Sequence, residues 1–333
     1  MVPGGYDAAF RVLAAGLPVR LGCAVDAVAD AADGARVSVR VAGAQEERLE
    51  ADAVIVTVPL GVLKAGAIAF SPALAAWKTA AIQRLGFGCL NKGHVKGAVL
   101  GSVPESTVHA STRPFPHHHH PQVVLQFPRI FWDNGLDYFG GVAPAGEQRR
   151  GRCFMFWNLA RHNGGVPLLS CLVSGAAARR LEAGSDEEAV AVSLRALRRL
   201  FPGEGTVPDP EASVVTRWSA DPHARGSYSY VAVGASGKDY DALAAPGSCR
   251  SPGSLRGPHT HSWLGPANLG VGRPRASSTT SPPSSQQVRR RILFAGEHTA
   301  RAHPDTVGGA MLSGLREAVR ALALLDGSEG LEV

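Results

Sequence analysis

The sequence predicts a mixed α/β (α+β) chain in which short strands alternate with helices, and three patterns carry that expectation. A β-branched apolar run, ADAVIVTVPL from Ala51 to Leu60, has the length and composition of a buried strand. From Val123 onward, short apolar runs are separated by Gly, Pro and charged turns, as in an antiparallel sheet. The third pattern, ILFAGEHTARAHPDTVGGAMLSGL from Ile292 to Leu315, reads as a strand, a tight turn and a helix.

In chain order, a helix is expected from Tyr6 to about Gly16, then strands around Pro18–Val25 and Ala35–Val41, then the Ala51–Leu60 strand. Ser71-Pro72 predicts a helix start, because Ser caps well and Pro fits the first helical position; Leu74, Trp77, Ala81 and Leu85 follow at helical spacing. VVLQF, Tyr138–Val142, Cys153–Trp157 and Pro167–Gly175 are the strands of a second region. Ser185 followed by Asp186, Glu187 and Glu188 places a cap and acids at the positive end of a helix that continues through Val190, Leu194 and Leu197 to Phe201-Pro202. A strand at Ala212–Trp218 leads into DPHARGSYSYVAVGASGKDYD.

Two stretches break this pattern. Residues 93–122 lack periodicity and contain HHHH at 117–120, and residues 247–290 are rich in Gly, Pro, Ser and Arg. Both read as disordered insertions, since neither carries enough apolar surface for a core. The resulting division is 1–92, a partial first domain; 93–122, insertion; 123–246, a substrate-binding domain; 247–290, insertion; and 291–333, the closing strand and helix.

At 333 residues, 45% of them hydrophobic, the chain suits a folded enzyme-sized protein. No apolar run reaches the roughly 18–20 residues of a membrane span, and MVPGGYDAAF lacks the charge and apolar stretch of a secretory signal, so no membrane association and an intracellular location are expected. The five cysteines form no C-x-x-C pair, and neither a disulfide framework nor a metal site is expected. The net charge of +6 is matched by the six arginines of 247–290, a stretch without acids, so no direct nucleic-acid site is evident.

In the closing segment Gly296 permits a sharp turn, and Thr306 stands at an N-cap followed by Gly308, Gly309 and Ala310. Small residues at a helix start serve either close helix packing or the approach of an electron-rich cofactor edge to free N–H groups. Together with TVPLGVLK (57–64), LGFGCLNK (85–92) and RWSADPHARGSYSYVAVGASGKDYD (217–241), FAGEHT and its helix resemble, in order and spacing, the flavin-containing amine oxidase family, in its lysine-specific histone demethylase branch.

That resemblance implies an incomplete flavin amine oxidase fold, a partial FAD-binding domain joined to a substrate domain with a mixed or antiparallel sheet and helices. It implies FAD as cofactor, hydride transfer from the carbon beside the amine nitrogen to flavin N5, imine hydrolysis, and oxygen as acceptor giving peroxide. Lys92 matches the family lysine that holds a water against the flavin. Val25, Trp218, Glu297, Thr306 and Val307 match cofactor contacts. Tyr228, with Trp157 and His223, matches the amine pocket, where aromatic faces attract methylated ammonium groups.

The implied substrate is a methylated lysine of a histone tail, in the nucleus and within a chromatin complex; a polyamine is the alternative, and a non-catalytic remnant unable to bind FAD is the rival from another class. The departures are His223 where the family commonly has Trp, Gly308 where it often has His, and the absence of a strand followed by GxGxxG and an acid that would hold the cofactor's phosphates and ribose.

Overall fold

The computed structural model describes residues 7–31, 34–41, 47–88, 122–142, 150–203, 205–246 and 291–326. The strands are β1 (Cys23–Ala31), β2 (Gly34–Val41), β3 (Glu47–Ala51), β4 (Val54–Val56), β5 (Ala69–Ser71), β6 (Gly86–Gly88), β7 (Gln122–Gln126), β8 (Tyr138–Gly140), β9 (Met155–Asn158), β10 (Leu168–Leu172), β11 (Ala212–Val215), β12 (Tyr228–Tyr230) and β13 (Ile292–Phe294). The helices are α1 (Asp7–Leu13), α2 (Leu60–Lys64), α3 (Ala76–Arg84), α4 (Gly175–Glu182), α5 (Asp186–Leu200), α6 (Gly237–Ala244) and α7 (Val307–Asp326). Of the two stretches read as insertions, 93–122 and 247–290, all but Gln122 lie outside the described residues.

The first sheet runs β3-β2-β1-β5, antiparallel except for the parallel β1–β5 edge, with a bulge between Val25 and Ala27. The strand expected at Pro18–Val25 begins at Cys23 and runs to Ala31, because Pro18 has no N–H for a ladder while Val28 reaches the core at 2% exposure. The run from Ala51 to Leu60 is also broken rather than one strand: Ala51 ends β3 opposite Ala35, Val54–Val56 pairs in parallel with β13, and Leu60 already opens α2 behind Pro59.

Ser71 ends β5 with its backbone registered against Ala29, so it is unavailable as a cap, and the helix expected there opens five residues later at Ala76. Around the β4–β13 pair, α2, α3 and α6 close a core in which Leu60, Ile82, Leu85, Tyr240, Leu243 and Phe294 are buried.

The second sheet has the order β11-β7-β10-β9-β8 and is antiparallel throughout. β10 is buried along its whole length, and α4 and α5 cover one face. Ser185 caps α5 as its position predicts, its Oγ accepting from the Glu188 N–H at 3.2 Å. Ala189, Val192, Ser193, Ala196 and Leu197 recur at helical spacing and turn inward. The opposite face carries a smaller group: Val124, Leu159 and Leu168, with Trp157 and Val214 packed against it.

α7 departs from its apolar pattern. Leu312, Leu315 and Leu322 are more than half exposed, and the buried positions are Gly309, Ser313 and Glu317. The face turned inward carries the polar groups that the preceding turn requires.

Candidate functional site

β13 delivers the chain into the Gly296–Thr299 turn, with the Ala295 N–H donating to the Val56 carbonyl at 3.0 Å. Gly296 has φ 131°, a region L side chains rarely adopt, and a Cβ there would stand 2.5 Å from the His298 ring. Three groups on the inward side of α7 fasten this turn. The Gly296 N–H donates to Ser313 Oγ (2.8 Å), and Arg316 donates to the carbonyls of Phe294 (3.1 Å) and Thr299 (3.0 Å). Glu317, fully buried, pairs with Arg316 and with Arg320.

Glu297 points to β12. Its carboxylate accepts from the Ser229 N–H (3.1 Å), the Ser229 hydroxyl (2.6 Å) and the Asp305 N–H (2.9 Å). Burial pushes this carboxyl above its ordinary range, against the opposing effect of those donors. A carboxylate offers about four acceptor positions, so these contacts leave little free capacity for the cofactor hydroxyls that the resemblance suggests.

Neighbouring Tyr228 is pushed up to about 12, first by burial and then by the negative charges of Asp305 and Glu297, and it stays a neutral phenol across the physiological range. Thr306 caps α7 as expected, its Oγ1 accepting from the Gly309 N–H at 2.9 Å.

The motifs that look separate in sequence are stacked on one another. A Cβ on Gly61 would stand 2.6 Å from the Ala224 carbonyl oxygen and 2.7 Å from the Phe87 ring; one on Gly86 would fall 2.3 Å from the Tyr230 ring. β6 and β12 pair through Gly88 and Tyr228, and Gly226 donates to the Trp218 carbonyl at 3.0 Å. TVPLGVLK, LGFG and DPHARGSYSY are thus one packed unit in which glycine is the only residue that fits at Gly61 and Gly86 without displacement.

The candidate residues divide accordingly. Glu297 joins β12 to Asp305 and Tyr228 lies near both carboxylates, Thr306 and Val307 follow Asp305 in the chain at the start of α7, and the Trp218 carbonyl accepts from the Gly226 N–H in the turn before β12. His223 is exposed in the turn after Trp218, its N–H bound to Asp221 Oδ1 at 2.8 Å. Trp157 is half-buried on the face of the second sheet opposite α4 and α5, registered opposite Tyr138 and Ser170. Val25 belongs to the first sheet, at its bulge. Lys92 lies outside the described residues.

Sequence reasoning missed the groups beneath the turn. Lys78 is 1% exposed, donates to the carbonyls of Ala242 (3.0 Å) and Leu243 (2.6 Å), and stands 4.1 Å over the Phe294 ring. Burial lowers its ammonium to about 7. His298 is buried beside it and lowered to about 4, by burial first and the Lys78 charge second. Tyr240 stands 3.2 Å from the Ser229 hydroxyl and ties α6 to the same network. Partners of Lys78 lie more than 160 positions away, so no local pattern marks it.

The start of α7 fits a flavin edge. Gly308 is exposed, with no atom within 4 Å of where a Cβ would stand. The first N–H groups of a helix have no intrahelical acceptor and lie at its positive end, which suits an electron-rich ring edge.

Comparison with known proteins bears on this geometry. The family described as "Flavin containing amine oxidoreductase" matches residues 1–96 and 121–322. Lysine-specific histone demethylase 1 homolog 3 of Arabidopsis thaliana is 40% identical over 98% of this chain and 16% of that protein. Possible lysine-specific histone demethylase 1 of Drosophila melanogaster is 35% identical over 96% of this chain and 30% of that protein. The chain therefore spans less than a third of the length of either relative.

Among solved structures, a triple mutant of putrescine oxidase, redesigned in cofactor binding, superposes with a TM-score of 0.58 at 18% identity, covering 95% of this chain and 52% of that one. That likeness is one of fold. With the glycine-packed motifs and the capped α7 on one side of it and the extent of the family match on the other, the chain belongs to the flavin-containing amine oxidoreductase family.

Proposed function

We propose that the chain provides the amine-facing sheet and the C-terminal flavin-facing turn of an FAD-dependent amine oxidase that demethylates lysine in histone tails. The observation that carries this reading is the convergence of Tyr228, Ser229, Glu297 and Asp305 on the open, glycine-lined start of α7. The histone demethylase names of the relatives supply the substrate class.

Bound FAD would supply an acceptor for the hydride lost from the carbon beside the amine nitrogen, with oxygen then taking the electrons to give peroxide. Thr306, Val307, Trp218 and Val25 are the residues assigned to hold it. Glu297 acts mainly by anchoring β12 to the turn, which sets where Tyr228 stands.

A neutral phenol ring at Tyr228, with Trp157, offers π faces to a methylated ammonium group and gives it no competing charge. His223 sits at the rim, and Lys92 is assigned to holding a water near the ring. A histone-tail substrate places the protein in the nucleus with chromatin partners; among the described residues, no helix is long and apolar enough to cross a membrane.

The test is peroxide and formaldehyde release by the purified protein, supplied with FAD, on a methylated histone peptide and on spermine. Release of both products from the peptide is expected. Peroxide from spermine alone would make the protein a polyamine oxidase, and failure to acquire flavin absorbance with added FAD would make this chain a non-catalytic module.

A further inference from the structure

Every nitrogen of the Arg316 guanidinium is engaged, and its acceptors lie on three different pieces of chain. Nε donates to the Glu317 carboxylate (2.5 Å), Nη1 to the Thr299 carbonyl (3.0 Å), and Nη2 to the Phe294 carbonyl (3.1 Å) and the Thr299 hydroxyl (3.0 Å). Phe294 ends β13 and Thr299 ends the turn, so one planar group grips both ends of the segment that carries Glu297. The Thr299 hydroxyl donates in turn to the Gly296 carbonyl at 2.8 Å, which passes the constraint to the start of the turn.

Glu317 fixes the plane of the guanidinium. It is fully buried and also accepts from Arg320 at 2.7 Å, while Arg320 directs its other hydrogen bond to the Ala244 carbonyl at the end of α6 (2.9 Å). The two arginines thus share one carboxylate, but Arg316 grips the turn and Arg320 grips α6. On the other side of the turn, Glu297 binds Ser229 of β12 and the Asp305 N–H just before α7. The segment between Phe294 and Thr299 is therefore held from α7 on one side and from β12 on the other.

We propose that Arg316 is the positioning residue of the flavin-facing turn: it sets where the Glu297 segment stands relative to the open start of α7, and so the shape that the cofactor edge meets. The inference rests on the flavin reading given above for the identity of the cofactor, and on the hydrogen bonds alone for the positioning. Lysine would keep the charge and the pairing with Glu317. Its ammonium is a compact point charge on a flexible stem, and it cannot present three nitrogens in one plane to Phe294, Thr299 and Glu317 together.

The test compares Arg316→Lys with Arg320→Lys in the full chain. Amide hydrogen exchange is followed in peptides covering Ile292–Val307 without FAD, and FAD affinity is read from the quenching of flavin fluorescence, with visible circular dichroism of the bound flavin. Arg316→Lys is expected to speed exchange in the turn several-fold while β9 and β10 exchange as before. It should also weaken FAD binding about tenfold, the scale of one lost charge-assisted hydrogen bond, and alter the visible dichroism of the flavin that still binds. Arg320→Lys keeps every contact of the turn and is expected to leave affinity and turn exchange within about twofold of the unsubstituted chain.

Faster exchange with unchanged FAD affinity would overturn the proposal, because Arg316 would then serve stability alone. Equal weakening in both variants would overturn it as well, by assigning the effect to the charge cluster rather than to the grip on the turn. So would Arg316→Lys with turn exchange and affinity both unchanged. An unsubstituted chain that takes up no FAD refutes the flavin reading, and the exchange comparison then decides the positioning alone. Should Arg316→Lys not fold, Thr299→Val removes the hydroxyl that links Arg316 to Gly296 and is expected to move the same readouts in the same direction by a smaller factor.

Discussion

Around β10, Phe156, Leu169 and Cys171 are sealed against α4 and α5 by apolar contact, whereas the Gly296–Thr299 turn buries Lys78, His298, Ser313 and Glu317. The first region can lose a methyl group anywhere and suffer in proportion to the cavity left. In the second, each polar group fixes the geometry of another: Ser313 holds Gly296, Arg316 holds Phe294 and Thr299, and Ser229 holds Glu297. Burying charge is costly unless every partner is in place, so such a network defines one arrangement of the turn and tolerates few others. The difference separates a region built for stability from one built to hold backbone in a chosen position.

The largest expected effect tests the apolar side. Phe156→Ala should cost about 3–5 kcal/mol, because its ring is fully buried, and the loss should be the same at pH 5, 7 and 9 in denaturant titrations. A loss that varied with pH would break the comparison.

The polar side should behave in the opposite way. His298 is lowered from 6.5 to about 4, so between those values the unfolded chain binds a proton that the folded chain does not. Stability should therefore fall as pH drops from about 6.5 towards 4, by about 3 kcal/mol in total from this group. His298→Gln should flatten that limb. Lys78, lowered to about 7 from 10.5, acts in the same sense at higher pH: stability should rise between those values, and Lys78→Met should remove the rise. An unchanged pH profile in both variants would place the titrations elsewhere.

Smaller changes sharpen the link to the site. Ser229→Ala removes one donor to a buried carboxylate and should cost about 1.5–3 kcal/mol in thermal unfolding, while weakening FAD affinity as β12 loosens. Stability loss with unchanged FAD affinity would separate Glu297 anchoring from cofactor binding. Thr306→Ala removes the cap and the hydroxyl's bond to the His303 carbonyl and should cost about 1 kcal/mol, read from the same melts.

How far this was legible depends on the range of each interaction. Ser185 and Thr306 cap their helices through atoms three residues away, so both caps could be read from the order of residues. Ser71 looked equally good, but its backbone is taken by a strand 42 positions earlier, and local rules cannot see that competitor. Leu312, Leu315 and Leu322 of α7 stay more than half exposed, and the opposite face turned in because the Gly296 turn needed Ser313 and Arg316. Glu297 was marked as important by its motif, while its partner Ser229 sat unremarked inside another.

By itself the sequence determined the class of fold, the order of most strands and helices, the capped start of α7 and the family to which the motifs point. These follow from hydrophobic period, turn residues and capping chemistry, all of which act within a few residues. Only the tertiary structure decided that three glycine-bearing motifs stack into one unit, that Glu297 is occupied by Ser229 and Asp305, and that Lys78 and His298 lie charge-poor beneath the turn. Those outcomes depend on which distant groups share a low-dielectric interior, and burial, donor geometry and shifted protonation come into being only when the chain closes on itself.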